Sequence, residues 1–341
     1  IADPVWFQSL GTVLAFDWNA SGLTTVLTAA LKEALREKEE NLGLFICGGK
    51  GKTSRKTPQE IKNWGEKSSL SCSSVDNLVY NSKMTAKVDS ALIQDGFQIY
   101  HHCFLFSRNG SWAVIQQGMN PENRTARRYH WYSEKATDLV CEPHTGIATQ
   151  SLRSSALNLA AKKSKKNQEI STELIKGGYT NLMKDIRILR NHSSHLSQMV
   201  ALKHKKRQLT LLHLEGKEFS WHPVLYENFS KSKYLEKILW KACQRGPETY
   251  EKLLSLQGVG PKTIRALSLV SEVIYGAEPS YEDPARYSFA HGGKDGTPFF
   301  VDQKVYDHSI KFFKKVVNKM KIPLSEKKKM ILKLDNKYAG P

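Results

Sequence analysis

The chain has 341 residues, 40% of them hydrophobic and 10% aromatic, which excludes a disordered protein and suffices for two or three domains with cores of their own. Lys and Arg total 51 against 33 Asp and Glu, a formal charge of +18, and such an excess points to a polyanionic partner, nucleic acid being the usual one. Five scattered cysteines (Cys47, Cys72, Cys103, Cys141 and Cys243) without Cys-x-x-Cys spacing argue against a disulfide framework and a zinc site, and no apolar run reaches the roughly 20 residues of a membrane span.

No signal peptide is visible, so a cytoplasmic, nucleoid-associated protein is expected. The opening Ile1-Ala2-Asp3-Pro4, without Met, reads as the start of a piece of a longer protein. Trp6, Phe7, Leu10, Val13 and Leu14, followed by an apolar series from Leu23 to Leu35, predict helices across residues 5–40, broken at 16–22 by a breaker-rich turn. Leu44-Phe45-Ile46-Cys47 is a short strand that runs into a Gly/Lys loop. Residues 97–107 and 111–117 flank Asn109-Gly110, a hairpin signal. Residues 1–150 are therefore expected to be a mixed α/β domain with an antiparallel sheet. Residues 151–245 read as a basic, mostly helical connector, with charge runs at 162–166 and 203–207 that are either solvated faces or phosphate-facing surface. Residues 246–341 read as a second helical unit with a Lys-rich tail. The fold class is α+β, with a helical C-terminal region.

The clearest motif runs from Leu253 to Leu267. Leu253, Leu256, Ile264 and Leu267 can pack two short helices together, while Gly258 and Gly260 permit a tight turn with exposed N–H groups at a helix N-terminus, which favours phosphate. This resembles the helix-hairpin-helix of DNA repair enzymes. Lys262, Thr263 and Arg265 would add sequence-independent contacts. In the glycosylase superfamily that uses this hairpin, a Lys after the second glycine works with an Asp on a later Val-Asp segment; Lys262 and Asp302 are the corresponding residues, but 40 positions separate them, and 279–299 reads as an insertion.

A second cluster, Gly48-Gly49-Lys50-Gly51-Lys52-Thr53-Ser54-Arg55-Lys56, invites a P-loop reading that fails, because the first glycine of that motif would fall at Ile46. What remains is either a phosphate-gripping loop or one whose crowded cations free a lysine amine to act as a nucleophile. A third cluster places polar residues within the apolar strands: Asp95, His101 and His102, then Gln116 and Gln117, then Arg127-Arg128-Tyr129-His130-Trp131, and finally Glu142 and His144. The Arg/Tyr/His/Trp run can stack a base and clamp a phosphate. A metal site is the weaker alternative here, since no His-x-His or His-Glu-x-x-His spacing occurs.

Taken together, Asp17-Trp18 with Ser21-Gly22, the Gly-Gly-Lys-Gly-Lys loop, Tyr100-His101-His102, Gln116-Gln117-Gly118-Met119, Ala126 to Trp131 and the C-terminal hairpin through Phe289 to Lys294 resemble the archaeal and bacterial domain-of-unknown-function seven-six-three family over nearly the whole chain. The resemblance implies an abasic-site lyase of unusual fold, preceded in its members by a further N-terminal segment; it assigns no catalytic residue. The expected activity is that of a DNA-(apurinic or apyrimidinic site) lyase of base-excision repair, which cuts by Schiff-base formation and β-elimination and uses no cofactor. From the residues themselves, Lys52 and then Lys50 are the candidate nucleophiles, and His101, His102 and Asp95 the candidate bases. Gln117, Arg127 and Arg128 are expected to hold sugar and phosphate. The partner is DNA containing abasic sites, with no membrane involved. The alternatives are a glycosylase using Lys262 and Asp302, a non-catalytic structure-specific DNA-binding protein, and a metal-dependent nuclease.

Overall fold

The structure is a computed structural model that describes residues 1–14, 16, 20–122, 124–150, 152–153, 155–192, 201–204, 207–210, 232–288 and 303–335. Two helices, α1 (Pro4–Val13) and α2 (Ala20–Leu35), and a single turn α3 (Glu39–Leu42) lead into strand β1 (Leu44–Lys50). A 3₁₀ turn (Gly51–Lys56) then opens α4 (Thr57–Lys67) and the long α5 (Cys72–Ala91). The short β2 (Ile93–Gln94) precedes a meander of β3 (Gln98–Ser107), β4 (Trp112–Met119), β5 (Ala126–Tyr132) and β6 (His144–Thr149). After β7 (Leu157–Asn158) come α6 (Lys165–Lys176), α7 (Tyr179–His192), the pair β8 (Ala201–His204) and β9 (Arg207–Thr210), α8 (Lys233–Arg245), α9 (Tyr250–Ser255), α10 (Pro261–Val273), β10 (Tyr287–Ser288), α11 (Gln303–Lys319) and α12 (Leu324–Asp335).

The expected α+β class and antiparallel sheet are what the chain forms. The sheet order is β1-β3-β4-β5-β6-β10, antiparallel through β6, with β10 added parallel to β6 in the register Tyr287↔Ala148. The Asn109-Gly110 hairpin joins β3 to β4, with Gly110 at φ 85°. Both faces of the sheet are covered, so Cys103-Phe104-Leu105-Phe106 of β3 is apolar on both sides. Strand alternation sends Cys103 and Leu105 toward α1 and α2, where Phe7, Leu10, Leu23 and Leu27 lie, and sends Phe104 and Phe106 to the opposite core. Each fully buried side chain of that size contributes about 1.5–3 kcal/mol. The second core is continuous from Phe45, Leu78 and Val88 through Leu174 and Leu182 to Leu239, Leu253, Ile264 and Val270. It therefore runs across residues 150 and 245.

The expected break at 16–22 is shorter than read: Ala20, Ser21 and Gly22 already belong to α2, and Asp17, Trp18 and Asn19 lie outside the described residues. The reading of 151–245 as mostly helical holds for α6, α7 and α8 and gives way at β8 and β9. There Leu202 pairs with Leu209 and His204 with Arg207 in an antiparallel ladder, so Lys203 and Arg207 of the charge run lie on strands and do not extend a helix, while Lys205 and Lys206 lie outside the described residues. The sequence reading also missed α4 and α5. Cys72–Ala91 is rich in Ser, Asn and Asp, which are poor helix formers, and it is held by tertiary packing: Ser71 caps its N-terminus by accepting from the Ser74 N–H (3.2 Å), and Leu78, Met84, Thr85 and Val88 are buried. Among the described residues no helix is long and apolar enough to cross a membrane.

Candidate functional site

The root of the Gly/Lys loop is fixed by contacts that only glycine permits. Gly48 has φ 83°, and a Cβ there would sit 2.2 Å from the His102 carbonyl oxygen and 2.4 Å from Thr57 Oγ1. Its N–H donates to Glu60 Oε2 at 2.8 Å, while Lys32 Nζ donates to the same oxygen at 2.7 Å and to the Gly48 carbonyl at 3.1 Å. Beyond the root the loop closes on itself, Ser54 Oγ donating to the Gly51 carbonyl at 2.6 Å and Thr57 Oγ1 to the Ser54 carbonyl at 2.7 Å. Lys50 is the β1 residue that faces His101 across the ladder, and its Nζ lies 6.0 Å from the centre of the Tyr100 ring. It lines a cavity of about 860 Å³ between α2 and the sheet, together with Thr28, Lys32, Gly49 and His101. Lys52 is exposed in the 3₁₀ turn, outside that lining.

The two adjacent histidines face opposite sides of β3, so one loop serves two different environments. His101 Nε2 lies 3.1 Å from Thr28 Oγ1, whose own proton goes to the Thr24 carbonyl at 2.8 Å. Nε2 therefore carries the hydrogen, and the opposite nitrogen, Nδ1, has no hydrogen-bond partner among the described residues. Burial first, then the neighbouring His102 and Lys50, push the His101 pKa down to about 4. The unfolded chain takes up this proton near the ordinary value of 6.5 and the folded chain does not, so stability present above pH 6.5 is lost as the pH falls toward 4. The loss from His101 alone is roughly 3 kcal/mol, and the lowered His102 and His130 act in the same direction. Urea midpoints at pH 7 and pH 4.5 check this; equal midpoints would contradict it.

His102 is buried on the other face. Its Nε2 lies 2.9 Å from Ser82 Oγ and its Nδ1 2.9 Å from Gln116 Oε1. On this side a groove of about 530 Å³ opens between α4, α5 and the turn before α10, lined by Ser54, Arg55, Ser82, Lys83, His102 and Pro261 among others. The Gly/Lys loop thus borders both spaces.

Several sequence candidates belong to the core instead. Asp95 accepts from Arg127 Nη1 at 2.7 Å, the Tyr129 hydroxyl at 3.0 Å and the Phe97 N–H at 3.0 Å, and burial raises its pKa. Arg127 also donates to Asp283 at 2.6 Å and lies 4.5 Å over the Phe97 ring. Arg128 donates to His130 Nε2 at 2.7 Å, lies 4.5 Å over the Phe7 ring, and is pushed down to about 9 by burial. Gln117 is buried with its amide on the Tyr100 hydroxyl at 2.5 Å. Asp95 is thus the partner of an arginine, away from the lysine loop, and Gln117, Arg127 and Arg128 are shut away from any DNA phosphate. Both arginines are 0% exposed because their stretch of β5 lies between two helical layers. Among the described residues no three His, Cys, Asp or Glu side chains converge as a metal site.

The segment 253–267 forms α9, a turn and α10, with Leu253, Val259, Ile264 and Leu267 buried. Thr249 caps α9 by accepting from the Lys252 N–H at 3.2 Å. Lys87 on α5 covers its C-terminal end, Nζ donating to the Leu254 and Leu256 carbonyls at 2.6 and 2.7 Å. Gly258 needs its φ of 89°, and a Cβ there would lie 2.4 Å from Ile238 Cδ1. Gly260, by contrast, is extended with open space where a Cβ would go. Pro261 occupies the first turn of α10, Lys262 is exposed, Arg265 is half-buried and the Thr263 side chain is buried, which removes that side chain as a surface contact. Gln94 Nε2 donates to the Pro261 carbonyl at 3.0 Å, tying this turn to the end of α5 and so to the groove. Asp302 lies outside the described residues, as does Phe289 to Lys294. Sequence reasoning missed Lys32, Glu60, Thr28, Ser82 and Lys83, none of which sits in a motif; only the fold gathers them.

A family model described as "Protein of unknown function (DUF763)" matches residues 1–301. No curated protein and no solved structure matches the chain.

Proposed function

We propose, for a chain that belongs to the DUF763 family of proteins of unknown function, that it is a DNA lyase acting at abasic sites. The observation that carries this reading is the shared groove: the lysine loop contributes Ser54 and Arg55 to it, and the α9–α10 turn contributes Pro261. A DNA strand held by the free N–H groups at the start of α10, in the manner of a helix-hairpin-helix, would pass directly along the loop. Lys50 takes precedence over Lys52 as the nucleophile because it shares a cavity with His101. Its amine attacks C1′ of the ring-opened sugar and water leaves, giving the Schiff base. His101, held neutral by burial, removes a C2′ proton; the C3′–O bond breaks and the 3′ phosphate departs. An abasic sugar is cheap to extrude, since no base must be unpaired.

The experiment incubates the chain with an abasic duplex in EDTA and identifies the ends. A lyase leaves an unsaturated aldehyde 3′ terminus. Tight binding without cutting would instead favour a structure-specific binding protein, and cutting that requires added metal a nuclease. Removal of a normal or damaged base by a chain that depends on Lys262 would favour the glycosylase. Gly260→Val tests the binding element: with open space at Gly260 the fold should survive, while the side chain blocks the approach of phosphate. Its affinity for duplex DNA should fall at least about tenfold, and the slope of log affinity against log salt should shrink by about 0.9 for each phosphate that the variant no longer neutralises. Native affinity and slope in the folded variant would remove the turn from the interface.

A further inference from the structure

We propose that Ser82 and His102 form a second reactive centre, in which the Ser82 hydroxyl takes the phosphoryl group of a phosphate ester bound in the groove between α4, α5 and the α9–α10 turn. Asp89 is fully buried on α5 and accepts hydrogen bonds from Trp131 Nε1 at 3.1 Å, His144 Nε2 at 2.5 Å and Gln116 Nε2. A carboxylate only accepts, so it fixes which end of the Gln116 amide faces it. The amide oxygen is thereby turned to His102 Nδ1 at 2.9 Å and must accept a proton from it. His102 Nε2 is then left with its lone pair toward Ser82 Oγ at 2.9 Å, and the serine proton lies in that bond. A hydroxyl on a base, the base oriented by a third group and that group locked by a fourth, is the arrangement that activates a nucleophile. Burial lowers the His102 pKa and so keeps the imidazole unprotonated at neutral pH.

The groove indicates the substrate. Among the described residues its lining carries two cations, Arg55 and Lys83, and no carboxylate, with the hydroxyls of Ser54 and Ser90 beside them. That lining selects a compact anion with several acceptor oxygens, which a phosphate ester supplies. In the reaction Ser82 Oγ bonds to phosphorus, its proton passes to His102 Nε2, and the ester oxygen departs and takes that proton as the alcohol. Water then attacks the phosphoserine, releasing inorganic phosphate and restoring the hydroxyl. This centre lies across β3 from the Lys50–His101 cavity, in the groove that the lyase reading gives to the DNA strand, and its chemistry needs neither Lys50 nor an abasic sugar.

An alkyl fluorophosphonate, which carries neither DNA nor aldehyde, reads this site alone. Attack by Ser82 breaks the P–F bond and leaves a stable adduct that peptide mass spectrometry locates. The native chain should be labelled at Ser82 ahead of every other serine, inorganic phosphate should slow the labelling, and His102→Asn should slow it by at least about 100-fold. Labelling confined to other serines, or a His102→Asn chain of native circular dichroism that labels at the native rate, overturns the proposal. Should His102→Asn fail to fold, the position of the adduct on the native chain decides alone.

Discussion

A Lys50→Ala chain is expected to bind an abasic duplex at close to native affinity and to cut none of it. Lys50 sits at the exposed end of β1, its Nζ 6.0 Å from the centre of the Tyr100 ring, and the loop is held by Gly48, Glu60 and Lys32 beneath it. Removing one exposed cation costs a fraction of the total phosphate binding energy, whereas removing the amine removes the bond-forming atom. Lys52→Ala, outside the cavity, should keep most of the cutting. His101→Gln should keep the Schiff base and lose elimination by about 10²–10⁴-fold, the usual contribution of a positioned base. Single-turnover cleavage with saturating enzyme separates these cases. Full cleavage by Lys50→Ala together with none by Lys262→Ala would move the chemistry to the turn before α10.

Arg127→Leu is expected to be the most destabilising single change in the sheet. The guanidinium bridges Asp95 at 2.7 Å and Asp283 at 2.6 Å with both acids almost fully buried, and so ties β5 both to the turn after β2 and to the segment that leads into β10. Without it two carboxylates are left uncompensated inside the protein, and a broken buried pair costs about 3–5 kcal/mol. Asp95→Asn should cost less, because Asp283 and the Phe97 ring still hold the guanidinium. Urea unfolding followed by circular dichroism checks the order. An Arg127→Leu midpoint within error of the native one would show that this cluster does not hold the sheet.

Local signals carried the fold where one segment determines its own conformation. Asn109-Gly110 between apolar runs gave the hairpin, the Gly258/Gly260 spacing gave the turn before α10, and the apolar period gave α1 and α2. They failed where packing overrides propensity. The Ser/Asn-rich α5 is a helix because the sheet and α9 cover it, and β10 joins the sheet through a pairing with β6 that crosses more than a hundred residues. The site was half legible. Its glycines, lysines and histidines cluster in sequence, so they could be named, but strand alternation sent His101 and His102 to opposite faces and buried Arg127 and Arg128. An Arg-Arg pair reads as a surface clamp until the second helical layer over the sheet is known. Ser82 and Glu60 had no signal, because their partners lie 20 and 12 residues away on other elements.

In the proposed lyase reaction a lysine of the loop forms a covalent link to an abasic sugar. Its most direct test is borohydride reduction of the native chain mixed with an abasic oligonucleotide in EDTA, followed by peptide mass mapping. The expected result is a one-to-one protein–DNA adduct with the modified lysine at position 50. No adduct, under conditions where binding is saturated, would contradict the lyase reading outright.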